Sequence, residues 1–368
     1  MKAMAHKLVV IAAGGTGGHF YPAEALAAEL LLRGERVVLL TDARSGGLAS
    51  PVFVQAERHV VSGAGLSGRG IKRAALGGLA LARGVFEARR ILREVKPGAV
   101  VAFGGYPSVP PVLAAALLFG AKPRVVLHEQ NAVLGRANRF LARYADVLAV
   151  NFLNTQAVPA GIAVQVVGNP VRPAIAALRG QGFVPPGERI EILVLGGSLG
   201  AKIFGTLVPE ALALLPDALR ARLHVTQQCR TEECGQARQV FKNAGISVEL
   251  SPFFTDVASL LAKAHLVVTR AGASSVAEIA AAGRPAIFIP LPGAIDDHQR
   301  ANADALAATG AALRLDQAGL TPAILTDQIE TLLMNVDSLK KMAAASAAYG
   351  RVDAAMRLAD LVLEGVPA

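Results

Sequence analysis

The chain has 368 residues, 53% of them hydrophobic and 18% charged, with 37 glycines and no tryptophan. That length exceeds one ordinary domain and fits two of roughly 170 residues each. A formal charge of +9 favours an anionic partner, while aromatics at 5% and the lack of any nucleic-acid motif argue against nucleic acid.

Met1 to His6 carries one lysine and leads straight into an apolar run, with no signal-peptide cleavage region. Lys7 to Ala13 (KLVVIAA) reads as a buried parallel strand. It opens into Gly14 to His19 (GGTGGH), and helical apolar spacing follows from Pro22 to Arg33. Phe20 stands where the dinucleotide fingerprint needs its last glycine, and no Gly-Lys-Ser/Thr follows, so neither nucleotide motif is present. What remains is a strand, a turn of nearly bare backbone and a helix N-terminus. Such an end offers free N–H groups to an anion, although glycine turns also occur there for purely structural reasons.

Arg36 to Thr41 is the second strand. Gly63 to Lys96 then carries a basic helical pattern, with eight bases against two acids between Arg69 and Lys96, and Leu76, Leu79, Leu81 and Val85 interleaved. It is either a solvated helix packed by one face or an amphipathic surface for anionic lipid headgroups. Pro97 to Ala121 is uncharged for 25 positions, long enough to span a bilayer. Its four prolines and the Gly104-Gly105 pair would break a helix in lipid, so a buried strand, a loop and a core helix are expected. Val100 to Phe103 ends in Gly104-Gly105-Tyr106-Pro107-Ser108, and Arg124 to Leu127 ends in His128-Glu129-Gln130-Asn131. Both repeat the strand-then-polar-turn pattern and belong on the sheet edge of the first glycine turn. Val147 to Val150 and Val164 to Val167 complete the first half, the latter ending in Gly168-Asn169-Pro170-Val171-Arg172.

Gln181 to Arg189 has the polar, Gly/Pro-rich texture of a linker. A second half opens with Ile190 to Leu195 (IEILVL) and Gly196-Gly197-Ser198-Leu199-Gly200-Ala201, echoing the first strand and glycine turn. Leu223 to Thr226, Ile246 to Leu250 and Leu266 to Val268 are further strands. Cys229 and Cys234 are too few for a disulfide framework and lack C-x-x-C spacing, which suggests free thiols. Val267 to Asn302 reads as strand, turn, helix, a strand from Ala286 to Ile289, and a loop ending in Asp296-Asp297-His298-Gln299. Ligands of parallel sheets bind beyond the carboxyl ends of the strands, so Ser274, Ser275, Glu278, Asp297, His298 and Gln299 could share one. Ser275-Val276-Ala277-Glu278 also fits a helix capping box. Pro322 to Leu363 is helical by pattern. The fold class expected is α/β, with two Rossmann-like doubly wound parallel-sheet domains facing across a cleft.

The ordered set GGTGGH, GGYPS (Gly104 to Ser108), HEQN (His128 to Asn131), GNPVR (Gly168 to Arg172), GGSLGA (Gly196 to Ala201), AGASSVAE (Ala271 to Glu278) and DDHQ-x-x-NA (Asp296 to Ala303) resembles the GT-B glycosyltransferases of the MurG family. Each motif is weak alone, and the order is specific. The resemblance implies an inverting transferase that moves N-acetylglucosamine from UDP-N-acetylglucosamine to the 4-hydroxyl of the muramoyl sugar of lipid I, giving lipid II for peptidoglycan. It implies an acceptor- and membrane-facing domain over 1–172, a UDP-sugar domain over 190–340, and a helical tail over 341–368 packing back towards the first domain. Glu278 would hold the ribose hydroxyls, and Ala273, Ser274, Ser275, Val276 and Ala277 would surround the nucleoside. Phe254 would meet uracil, where the family usually has an aliphatic residue. Arg172 and Ser198 would bind diphosphate, and Gln299 and Asn131 the sugar. His298 stands where some relatives carry a second glutamine. Thr16, Gly17 and Gly18 would approach the diphosphate and the acceptor.

Direct attack by a hydroxyl needs a base, and imidazole with a pKa near 6.5 suits neutral pH. His19 is the first candidate and Glu129 the alternative, unless that carboxylate only orders backbone N–H groups. No cofactor and no metal-ligating site residue are expected, and no Asp-x-Asp motif of metal-dependent sugar transferases stands out, although the sequence does not reveal whether a divalent metal aids turnover. The acceptor's lipid tail gives the Arg69–Lys96 segment a role against an anionic membrane, placing a peripheral enzyme at the cytoplasmic face of the inner membrane. Rival readings are a glycolipid glycosyltransferase or UDP-N-acetylglucosamine 2-epimerase, a non-catalytic nucleotide-sugar binder and, least, an NAD-dependent oxidoreductase.

Overall fold

The computed structural model describes residues 6–14, 17–43, 50–54, 56–63, 71–197 and 200–366. Two units are present, one of residues 1–172 with 353–368 and one of 173–352. In the first, seven strands are β1 Leu8–Ala12, β2 Arg36–Thr41, β3 Glu57–Val60, β4 Ala99–Ala102, β5 Arg124–Glu129, β6 Val147–Val150 and β7 Ala163–Val166. They lie in the order β3-β2-β1-β4-β5-β6-β7, and every pairing is parallel. Successive side chains of β1 enter opposite cores: Val9 and Ile11 join one cluster, Val10 and Ala12 the other. A strand buried on both faces must be apolar throughout, which is why KLVVIAA shows no alternation.

The second unit holds β8 Ile190–Leu195, β9 Leu223–Gln228, β10 Ser247–Ser251, β11 Leu266–Thr269, β12 Ala286–Phe288 and β13 Ala312–Arg314. Their order is β10-β9-β8-β11-β12-β13, again parallel. Both units are therefore doubly wound α/β sheets, in which strand order reverses beside the first strand and ligand sites lie at the carboxyl edge.

Two boundaries differ from the expectation. Residues 173–189, including the expected linker, belong to the second unit: Ile175 and Leu178 are buried, and the Arg284 guanidinium donates to the Gly182 carbonyl at 2.9 Å. The tail over 341–368 divides. Helix Val336–Tyr349 stays with the second unit through Leu339 and Met342, whereas Leu358, Leu361 and Val362 of helix Ala354–Leu363 fill the first unit's core. Pro97 to Ala121 forms β4, a turn and the helix Val109–Ala116. Among the described residues no helix is long and apolar enough to cross a membrane.

Candidate functional site

At the carboxyl edge of the first sheet, β1 runs through Gly14 into a helix that starts at Gly17. A side chain at 17 would bring its Cβ within 2.9 Å of the Tyr21 ring, so the glycine makes room for that ring. Tyr21 in turn lies under Arg172, whose guanidinium carbon is 5.3 Å from the ring centroid, a cation–π distance. Gly18 is exposed, and Thr16 lies outside the described residues.

His19 is half-buried on this helix, with Nδ1 3.0 Å from the side-chain oxygen of Gln130. Gln130 follows β5, where alternation puts residues 128 and 130 on one side and 129 on the other. Gln130 Nε2 meets His128 Nδ1 at 3.0 Å and donates to the Phe103 carbonyl at 3.0 Å. His128 is fully buried and donates from Nε2 to the Gly168 carbonyl at 2.9 Å; burial pushes its pKa down to about 4.

Glu129, on the other side, is 2% exposed. Its Oε1 accepts from the Asn131 backbone N–H and side-chain amide, each at 3.0 Å, and its Oε2 from the Gly135 N–H and the Asn138 amide, each at 2.9 Å. Four donors match the roughly four lone-pair sites of a carboxylate. Asn131 is thus tied to the turn that Glu129 organises.

In the second unit, β8 ends at Leu195 and is followed by Gly196, where a Cβ would lie 2.3 Å from the Ala201 nitrogen. The turn is fastened by Gln228 at the end of β9. Its oxygen accepts from the Gly196 N–H at 3.0 Å, and its amide donates to the carbonyls of Gly197 and Pro252, both at 3.1 Å. One side chain so joins the glycine turn to the turn carrying the half-buried Phe254. Ser198 lies outside the described residues.

Beyond β11, Arg270 is buried over the Phe204 ring at 5.0 Å and donates to the carbonyls of Ile289 and Pro290 and to Gln317. Burial holds its pKa below the usual guanidinium value. Asn302 donates to the Ala271 carbonyl at 3.0 Å, holding the turn before helix Ala273–Ala282. That helix has Gly272 at its N-cap, without a side-chain capping bond. Ser275 is its third residue and Glu278 its sixth, so the capping-box reading of this pair is not realised. Ala273 and Val276 are buried, while Ser274, Ser275, Ala277 and Glu278 are half-buried along the helix start. The loop after β12 gives way to a helix, His298–Ala307, at His298 and not after Gln299 as expected; Gln299 accepts the Leu291 N–H at 3.0 Å and His298 Nδ1 donates to the Ile295 carbonyl at 2.7 Å. Asp296 and Asp297 adopt left-handed backbone, with φ of 53° and 51°. No group of three or more metal-ligating side chains converges among the described residues.

Family models match both units. The glycosyltransferase family 28 N-terminal domain covers residues 9–150, and the family's C-terminal domain covers 191–358. The chain belongs to glycosyltransferase family 28. Two family relatives are named UDP-N-acetylglucosamine–N-acetylmuramyl-(pentapeptide) pyrophosphoryl-undecaprenol N-acetylglucosamine transferase. The protein from Acidiphilium cryptum is 57% identical over 97% of this chain and 96% of its own. That from Granulibacter bethesdensis is 55% identical over 97% and 94%. The crystal structure of Acinetobacter baumannii MurG matches with a TM-score of 0.76 at 34% identity, covering 98% of this chain and 99% of that one. A UDP-N-acetylglucosamine 2-epimerase structure from Listeria monocytogenes reaches 0.69 at 16% identity, over 98% and 96%, a likeness of fold alone.

Within each unit, side chains that the motifs left unassigned hold the turns at the strand ends. Gln130, Gln228, Arg270 and Asn302 fix the turns without having been read as site residues. For Gln130 the signal was present, since alternation along His128-Glu129-Gln130 separates its side chain from that of Glu129. For Gln228 and Arg270 no local signal exists, because their partners lie on other strands.

Proposed function

We propose that this family 28 transferase moves N-acetylglucosamine from UDP-N-acetylglucosamine to the muramoyl 4-hydroxyl of lipid I, with inversion at the anomeric carbon. The near-full-length identity to transferases named for that reaction carries the reading. The epimerase alternative shares only the fold. The second unit binds the nucleoside end, with Glu278 on the ribose hydroxyls, Ala273 to Ala277 and Phe254 around the base, Ser198 on the diphosphate and Gln299 on the sugar. The first unit contributes Arg172 and the glycine turn of Thr16, Gly17 and Gly18 towards the diphosphate, Asn131 towards the sugar, and the base. His19 is that base. Glu129, with its four lone-pair directions already used by Asn131, Gly135 and Asn138, orders the turn instead.

In the step, the acceptor oxygen bonds to the anomeric carbon as the bond to the UDP oxygen breaks with its electron pair, and the hydroxyl proton passes to His19 Nε2. The diphosphate gains negative charge, which Arg172 and the N–H groups at the start of helix Gly17–Leu32 stabilise.

The lipid-borne acceptor places the enzyme peripherally at the cytoplasmic face of the inner membrane. Helix Ile71–Val95 supports this, with Leu76, Leu79 and Phe86 each two-thirds or more exposed among basic residues. Phe119 is 90% exposed, with the Arg89 guanidinium 5.4 Å from its ring. Arg69 and the side chains of Lys72 and Arg73 lie outside the described residues. Purified protein incubated with UDP-N-acetylglucosamine and a short-chain lipid I analogue should release UDP and the disaccharide lipid. Hydrolysis or epimerisation without transfer would overturn the assignment.

A further inference from the structure

We infer that Gln130 is a positioning residue that fixes the tautomer of His19, because its amide bridges His19 to a buried His128 anchored on the Gly168 carbonyl. The chain of hydrogen bonds has one consistent assignment. A carbonyl oxygen only accepts, so His128 Nε2, 2.9 Å from Gly168 O, carries a proton. A neutral imidazole has one proton, so Nδ1 of His128 is an acceptor. That nitrogen, the Phe103 carbonyl and the His128 carbonyl lie 3.0, 3.0 and 3.3 Å from one end of the Gln130 amide. Three acceptors around one end make it the NH2 group. The other end is then the carbonyl, 3.0 Å from His19 Nδ1. Nδ1 must donate to it, which leaves the lone pair of neutral His19 on Nε2.

Which ring nitrogen is protonated is set by the hydrogen bond the other makes. Gln130 thereby presents His19 Nε2 as a proton acceptor, and keeps a partner for Nδ1–H once the imidazolium forms. The ring edge that carries Nε2 lies beside Gly105, where a Cβ would meet Cδ2 at 3.4 Å and Nε2 at 3.5 Å, ordinary contact distances, on backbone of φ +69° that favours glycine. The assignment deepens, and for its catalytic consequence rests on, the reading of His19 as the base.

The test is a long-range proton–nitrogen correlation spectrum of the full chain labelled with ¹⁵N-histidine, with His19 assigned by its loss in His19→Asn. At neutral pH the native protein should show His19 protonated on Nδ1 and bare on Nε2. Gln130→Leu should move the proton to Nε2 or give a mixture. It should also lower kcat by about tenfold or more, part of the ~10²–10⁴-fold that a positioned base contributes, with KM for UDP-N-acetylglucosamine within about twofold. Gln130→Glu keeps an acceptor at Nδ1 and should retain the native tautomer. A native His19 protonated on Nε2 would overturn the inference without any variant, as would an unchanged tautomer in Gln130→Leu. Normal turnover by His19→Ala beside the expected tautomer would remove the base reading and leave the tautomer assignment standing.

Discussion

Glu129 and His19, the two candidate bases, separate on hydrogen bonding: the Glu129 carboxylate accepts four bonds within its own turn, whereas His19 meets the side chain of Gln130. Glu129→Ala strands four donors in a buried turn, at a cost of about 1–3 kcal/mol for each that finds no substitute. Its main effect should be a large drop in the urea midpoint followed by circular dichroism. His19→Ala should leave that midpoint near native while kcat falls by roughly 10²–10⁴-fold. Glu278 carries no cap, so Glu278→Ala should raise the donor KM about 10- to 100-fold, the worth of charge-assisted hydrogen bonds, with little change in Tm. His128 gives a pH signature. Its folded pKa of about 4 lies below the ordinary imidazole value of 6.5, so the unfolded chain binds the extra proton first. The neutral ring's contribution is complete above pH 6.5 and is lost as pH falls towards 4. Urea titrations should show native stability falling across that window more steeply than in His128→Gln.

At the scale of elements, the glycine turns are places where backbone must come close. A Cβ at Gly196 would overlap the Ala201 nitrogen, so Gly196→Ala must displace the turn that Gln228 holds. Donor affinity and stability should fall together, as read by calorimetric titration with UDP and by thermal melting. Helix Ile71–Val95 makes a different prediction. Replacing Leu79 and Phe86 by glutamate adds charge to an already solvated face, so folding should hold. Binding to vesicles of anionic lipid should drop about tenfold or more, from lost apolar insertion and added repulsion, and should be steeper at low salt. Equal sedimentation with vesicles before and after the change would remove the membrane role of this helix.

Across the whole molecule, the carboxyl-terminal helix belongs to the first unit rather than to the unit that precedes it in sequence. Leu358 is fully buried in the first unit's core, so Leu358→Ala should cost about 2–5 kcal/mol there. Hydrogen exchange should quicken in β1 and β4 and stay native in β8 and β11. Much was legible beforehand: buried parallel strands are unbroken apolar runs, glycine turns punctuate them, and the motif order marks the family. Short edge strands were not, since Glu57–Val60 (ERHV) and Ala312–Arg314 owe their pairing to a neighbour and not to their own pattern. The sequence by itself determined the sheet class, the sites at strand ends and the residue types offered there, because periodicity and turn chemistry are local. Only the tertiary structure decided which helix closes which core, that Ser275 and Glu278 form no cap, that Glu129 is saturated, and that Gln130 links His128 to His19. Those outcomes depend on partners from other strands and helices, which spacing along one chain does not encode.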